Sequence, residues 1–162
     1  MEHLNEFRKH IPTRLIYLSF IVALFIELIP TRHWLPDVVG LLILYWIINT
    51  PEQVNLGTAF VLGIITDIAT QSYLGQHALA YTMTSFLVLN NRRSIILHNY
   101  GWQSLVALGT LFGNQLIMGI IGFIRSHKIP SWDYIIPVFI GAALWPLLNK
   151  LIIFSYKSRA KR

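Results

Sequence analysis

Apolar residues gather into six stretches along the chain, and the polar turns between them predict six helices. The stretches are Leu15–Ile29, Val38–Asn49, Leu56–Thr70, His77–Leu89, Leu105–Ile124 and Tyr134–Phe154. A helix needs roughly 20 residues to cross a hydrocarbon core of about 30 Å. The fifth and sixth stretches reach that length, whereas the second, third and fourth are shorter. Each short stretch is predicted to cross a locally thinned bilayer or to be partly re-entrant, and in either case to be buried against longer neighbours.

Turn-forming residues support these divisions. The pair Asn90-Asn91 predicts the end of the fourth helix, because asparagine is common in turns. In the sixth helix, Pro137 lies near the start, where a missing N–H is harmless. Pro146 lies inside that helix and predicts a kink.

Lysine and arginine are distributed unevenly about the six stretches, which predicts that both chain ends are cytoplasmic. In that orientation the inside segments hold Arg8, Lys9, Arg14, Arg92, Arg93, Lys150, Lys157, Arg159, Lys161 and Arg162, and the outside loops hold only Arg32, Arg125 and Lys128. Three parts are expected: a basic cytoplasmic segment over 1–14, a transmembrane domain over 15–154 and a basic cytoplasmic tail over 155–162. The first helix is expected to be a retained anchor, because no small-residue cleavage site follows it.

Composition supports an all-α, polytopic transmembrane bundle. The chain is 54% hydrophobic and 12% charged, with a mean hydropathy of +0.55, whereas soluble domains carry roughly 25% charged residues. The net charge of +6 does not indicate nucleic-acid binding. The basic residues lie between and beyond the apolar stretches, and they do not alternate with aromatic residues along one face.

Catalytic signatures are absent from the sequence. There is no cysteine, which excludes disulfides, thiolate metal sites and cysteine nucleophiles. The zinc-protease motif HExxH, the serine-hydrolase motif G-x-S-x-G and the phosphate-binding loop are missing too. We therefore expect no enzymatic activity, no metal and no cofactor.

Two acids, Glu27 and Asp67, fall inside apolar stretches. A carboxylate there costs roughly 2.5–3.5 kcal/mol on insertion scales, and such residues are candidates for function. Glu27 lies close to the end of its stretch. We expect it at the membrane interface, either solvated or paired with Arg32 or His77.

Asp67 lies deeper and shares a helix face with Ala59 and Gly63, because the three are spaced four residues apart. Small residues at this spacing allow a second helix backbone to approach closely. We interpret these residues as a packing face, on which the Asp67 carboxylate accepts hydrogen bonds from the neighbouring helix. A ligand for a transported ion or solute is the alternative.

The fifth stretch contains the motif Gly109-x-x-x-Gly113, followed by Asn114 and Gln115. Such a motif lets helices pack closely, and amide side chains hydrogen-bond across helices. It predicts packing within the bundle, with docking of a partner's helix as the functional alternative.

Four runs of the sequence resemble the MreD family of rod-shape-determining membrane proteins, and the likeness extends over nearly the whole chain. The runs are 36–46, 51–60, 63–68 and 74–80. The residues that match the family pattern are Pro51, Asn55, Gly57, Gly63, Asp67, Leu74 and Gly75. The resemblance implies roles in folding or docking for these residues, and it carries no catalytic residue.

The resemblance implies a non-enzymatic scaffold of the cell-elongation complex in the bacterial inner membrane, which positions lateral peptidoglycan synthesis. The partners it implies are the bitopic protein MreC and, indirectly, MreB filaments, RodA and RodA's partner transpeptidase, together with membrane lipids. It also implies a fold similar to the substrate-binding membrane subunits of vitamin transporters. A small-solute binding or transport subunit, built around Asp67, Asn114 and Gln115, is the alternative.

Overall fold

The computed structural model describes residues 12–29, 35–127 and 135–160. These residues form six helices with no strand between them: α1 Thr13–Glu27, α2 Val38–Asn49, α3 Leu56–Ala69, α4 Gln76–Leu97, α5 Tyr100–Ser126 and α6 Ile136–Ala160. The prediction of an all-α fold with six helices is confirmed. The kink predicted in α6 stays a prediction, although Pro146 does lie inside that helix.

The fourth helix is longer than the sequence predicts. It has 22 residues and continues through Asn90 and Asn91 to Leu97, so the predicted end at this pair is wrong. Asparagine costs well under 1 kcal/mol in a helix interior, and both residues are exposed. The Asn91 Nδ2 atom donates to the Leu87 carbonyl at 2.9 Å within the same helix. At about 33 Å, α4 is not a short element.

The second helix is short, as predicted, and forms the centre of the bundle. It has 12 residues, which is about 18 Å, and every residue from Val39 to Ile48 is buried. It contacts all five other helices, while α1, α3, α4, α5 and α6 lie around it, each against the next in that order. The third helix is also short, with 14 residues, and buries one face.

Both ends of α2 form hydrogen bonds with side chains of other helices. At the N-terminus the Val38 N–H donates to the Glu27 carboxylate of α1 at 3.2 Å. At the C-terminus the Arg92 Nε of α4 donates to the Ile48 carbonyl at 2.8 Å. The end groups of a helix have no partner within it and must find one elsewhere when they are buried. The side chains of α1 and α4 therefore allow α2 to end inside the bundle.

The outward faces of the five surrounding helices are apolar. Large side chains that are more than half exposed occur on each of them, namely Phe25, Ile68, Leu87, Leu105 and Phe139. Within the described residues, one segment, Gly101–Arg125 of α5, is long and apolar enough to cross a membrane. An apolar surface on every side is typical of a bundle that is solvated by lipid.

Candidate functional site

Three acidic side chains lie at the end of the bundle where α1 and α3 finish and α2 and α4 begin. Glu27 and Asp67 are buried, and Asp37 is partly buried. Together with nearby side chains of α4 and α5 they form a polar cluster, which comprises Glu27, Asp37, Asp67, His77, Tyr81, Thr84 and Asn114.

Asp67 connects the end of α3 to the start of α4. Its Oδ2 accepts the Gly75 N–H at 2.7 Å, and its Oδ1 accepts the His77 N–H at 2.9 Å. The His77 Nδ1 lies 2.8 Å from the same Oδ1. Only 1% of Asp67 is exposed. A carboxylate at a helix N-terminus satisfies orphan N–H groups and interacts favourably with the helix dipole, so Asp67 acts as the cap of α4.

Close contact between α3 and α4 brings Asp67 within reach of these donors. A Cβ atom on Gly63 would lie 2.3 Å from the Ala78 Cα and 2.5 Å from the Ala78 nitrogen. Ala59, one turn earlier on the same face, is completely buried. The face of Ala59, Gly63 and Asp67 is therefore occupied by α4.

Asp37 forms the second half of the cluster and joins α2, α4 and α5. Its Oδ1 accepts the Gly40 N–H and the Tyr81 hydroxyl, each at 2.7 Å. Its Oδ2 lies 3.4 Å from the Asn114 Nδ2. The Thr84 hydroxyl donates to the Asn114 Oδ1 at 2.7 Å. Asp37 is thus the N-cap of α2 and a hydrogen-bond partner of two other helices.

The two halves meet on α4. His77 and Tyr81 are one turn apart, and their rings contact edge to face with centroids 5.6 Å apart. One helix therefore carries partners for both aspartates. Its donors bind the carboxylates of Asp37, the N-cap of α2, and Asp67 of α3, so the cluster joins α4 to both of these helices. Among the described residues no group of three potential metal ligands is present.

The environment of the Glu27 side chain differs from the one that the sequence predicts. Glu27 is 7% exposed and accepts the Val38 N–H, so the expectation that this side chain is solvated is wrong. Arg32, its predicted partner, lies outside the described residues. His77, the other predicted partner, pairs with Asp67. The carboxylate is buried because α2 begins beside it and needs an acceptor.

The Gly109-x-x-x-Gly113 motif is divided between two environments. Gly113 is partly buried, and a Cβ there would lie 3.2 Å from the Thr84 Cγ2. Gly109 is exposed, and a Cβ there would meet nothing within 4 Å, so packing within the bundle is wrong for Gly109. The buried face of α5 passes through Asn114, which puts Gly109 on the outward side. Gln115 is partly buried and forms no side-chain hydrogen bond to the described residues.

The family-pattern residues between α2 and α3 form a turn and a helix cap. Pro51 begins the turn, and Asn55 is the N-cap of α3. The Asn55 side chain accepts the N–H groups of Gly57 at 3.0 Å and Thr58 at 3.2 Å, and the Thr58 hydroxyl accepts the Asn55 N–H at 2.8 Å. This reciprocal pair is a capping box, and it fixes where α3 begins.

The turn between α3 and α4 contains Leu74 and Gly75. Gly75 has a φ of 94°, which favours glycine, and its N–H is the donor to Asp67. Leu74 points outward and is 72% exposed. Beside it, the Arg125 guanidinium lies 4.0 Å from the centroid of the Tyr73 ring, a cation–π contact that ties the turn to the end of α5.

Sequence reasoning missed four members of the polar cluster as site residues: Asp37, His77, Tyr81 and Thr84. Asp37 had a usable signal, because an aspartate directly before an apolar stretch is typical of an N-cap. Tyr81 and Thr84 had none, since their partners lie 44 and 30 residues away along the chain.

Comparison with known proteins gives consistent results. The family model described as rod shape-determining protein MreD matches residues 7–154. The rod shape-determining protein MreD of Haemophilus influenzae is 29% identical over 133 residues, which cover 78% of this chain and 81% of that protein. No solved structure matches the chain. A fold like that of vitamin-transporter subunits therefore remains a prediction.

Proposed function

Because the chain belongs to the MreD family of rod shape-determining proteins, we propose that it is a non-enzymatic scaffold for lateral wall synthesis in the bacterial inner membrane. The observation that carries this proposal is the family match, which runs from residue 7 to residue 154 and so covers α1 to α5 and most of α6. The molecule would act by holding partner proteins in place and would need no reaction of its own.

The membrane placement we propose is a multi-pass bundle with both ends in the cytoplasm. The apolar outward faces of α1, α3, α4, α5 and α6 support it, and so does the excess of basic residues on one side. The short α2 is compatible with this placement, because Glu27 and Arg92 supply hydrogen-bond partners to backbone groups at its two ends.

The polar cluster supports a structural role more than a chemical one. The side chains of Asp67 and Asn114 form hydrogen bonds with other residues of the same chain. A small-solute binding or transport subunit built around Asp67, Asn114 and Gln115 therefore has less support than a scaffold.

MreC is the partner we propose for direct docking, and MreB filaments, RodA and the transpeptidase would be reached through it. The sequence offered two small-residue faces for a partner helix, and the one on α3 is occupied by α4. The outward face of α5 remains, where Gly109 lies between the exposed side chains of Leu105, Phe112 and Leu116. A glycine among large apolar residues forms a notch in which another helix backbone can approach closely.

Gly109→Leu tests this proposal. It fills the notch without touching the bundle, because a Cβ at Gly109 meets nothing within 4 Å. We expect loss of co-purification with MreC, together with rounded cells and dispersed wall synthesis when the variant is the only copy. The matched control is Gly122→Leu, since a Cβ on that glycine of α5 also meets nothing within 4 Å. Intact complexes and rod-shaped cells with Gly109→Leu would rule out this face.

A further inference from the structure

Trp145 places a hydrogen-bond donor in the interior of the bundle. The side chain is 0% exposed, and among the described residues its Nε1 is the one buried side-chain nitrogen or oxygen without a partner. A buried donor without an acceptor costs roughly 1–3 kcal/mol, and buried polar groups in proteins nearly always have a protein or water partner. The Trp145 N–H therefore calls for a partner other than the described residues.

The next residue in the chain leaves an acceptor in the same turn of α6. Pro146 has no N–H, so the carbonyl of Ala142, four residues earlier, loses its regular helical donor. Asn149 donates its Nδ2 to the Trp145 carbonyl at 2.9 Å, which leaves the oxygen of the same amide to accept. Ala142, Trp145 and Asn149 are all buried and share one face of α6, since they are spaced three and four residues apart.

We propose that one water molecule is bound in this turn, between α6 and the central helix α2. It accepts the Trp145 N–H and donates to the Ala142 carbonyl and the Asn149 amide oxygen. Three hydrogen bonds are the usual complement of a buried water. A water that inserts at a proline break is also a recognised cause of helix bending. The site would let α6 bend at Pro146 with no backbone group unsatisfied.

The ring of Tyr45 is a competing acceptor for the N–H. Its centroid lies 6.1 Å from that of the Trp145 ring, and the planes are inclined by 58°. Contacts of an N–H with an aromatic face are weak compared with hydrogen bonds to oxygen. Water is therefore the stronger candidate, and the two partners give different results in an experiment that detects water directly.

Trp46 is the internal control for that experiment. It is also 0% exposed, and it also lies against Tyr45, with ring centroids 4.9 Å apart. Its Nε1, however, donates to the Ser19 hydroxyl at 3.0 Å. The two indole rings are equally buried and both lie beside Tyr45. They differ because Ser19 supplies an acceptor for the Trp46 N–H, whereas the described residues supply none for Trp145.

The measurement is nuclear magnetic resonance on the full-length protein, labelled with ¹⁵N-tryptophan, in lipid nanodiscs. Trp145→Phe and Trp46→Phe assign the two indole signals. We expect a cross-peak between water and the Trp145 N–H and none at Trp46. A Trp145 N–H without a water cross-peak overturns the proposal, and so does an equal cross-peak at both indoles.

Pro146→Ala tests the geometry, because it returns a helical N–H donor to the Ala142 carbonyl. We expect the water cross-peak of Trp145 to weaken at least twofold. An undiminished cross-peak shows that this carbonyl does not hold the water and contradicts the site. If Pro146→Ala does not fold, Asn149→Leu removes the other acceptor and is expected to have the same effect. An undiminished cross-peak in that variant contradicts the site in the same way.

Discussion

Replacing Gly63 by alanine tests how closely α3 and α4 approach each other. The added Cβ would lie 2.3 Å from the Ala78 Cα and 2.8 Å from the His77 carbonyl carbon. These neighbours are backbone atoms and cannot rotate away as a flexible side chain does. The two helices must therefore separate to admit a single methyl group.

The size of the effect follows from the contact distance. Carbon atoms pack at about 3.5–4.0 Å, so the backbones must move apart locally by more than about 1 Å. Overpacking of this kind costs about 1–3 kcal/mol. The same movement draws the Gly75 and His77 N–H groups away from Asp67, at the end of the same helix pair.

A matched control removes the intrinsic preference of alanine for helices. Gly109→Ala makes the same chemical change inside another helix, where the new Cβ meets nothing within 4 Å. Both substitutions gain up to about 1 kcal/mol of helix propensity, and this gain cancels when the two variants are compared. The difference between them then measures the cost of separating α3 and α4, which is at least the overpacking cost of about 1–3 kcal/mol.

The assay is the free energy of unfolding in mixed detergent micelles. Increasing fractions of sodium dodecyl sulfate unfold the protein, and the loss of helix is followed by circular dichroism. We expect Gly63→Ala to unfold at a clearly lower fraction of dodecyl sulfate than Gly109→Ala. Equal midpoints for the two variants would refute the close approach of α3 and α4.

Two further predictions concern the ends of the short helices. Arg92→Leu leaves the Ile48 carbonyl without its donor, and we expect it to lower the free energy of unfolding by about 1–2 kcal/mol in the same detergent titration; wild-type stability would contradict the bond to α2. The chain is cysteine-free, so single cysteines report membrane sidedness. We expect Leu74→Cys to react with an impermeant thiol reagent in spheroplasts of intact inner membrane and Gln53→Cys to react only after permeabilisation. The reverse pattern would overturn the proposed orientation.

Local spacing was enough to predict part of the site. Ala59, Gly63 and Asp67 share a face in any helix, because residues four apart lie one above the other. The position of a carboxylate on that face indicated a neighbouring helix as its partner. The identity of that partner, the N-terminus of α4, depends on the turn at Gly75, which positions the donor N–H.

Other features depend on tertiary packing, which spacing does not report. Gly109 and Gly113 belong to one motif, yet the structure turns one outward and the other toward Thr84. Asp37 and Asn114 are 77 residues apart in sequence, and no local pattern connects them. The run through Asn90 was misinterpreted because an exposed asparagine weakens a helix too little to end it.

The acids inside the apolar stretches are explained by how the helices end. Glu27 and Asp67 each lie in the last turn of their own helix. The negative end of the helix dipole lies there, so a carboxylate at this position interacts unfavourably with its own helix. Each carboxylate instead accepts N–H groups at the start of the following helix: Val38 for Glu27, and Gly75 and His77 for Asp67.

The helix pairs α1–α2 and α3–α4 thus share one arrangement: a carboxylate at the end of the first helix caps the start of the second. An unsatisfied backbone group in hydrocarbon costs several kcal/mol, which is comparable with the roughly 2.5–3.5 kcal/mol for inserting a carboxylate. Joining the two offsets both penalties, so α2 and α4 can begin inside the bundle. Loss of either acid is then a loss of helix placement, and the scaffold role that we propose depends on that placement.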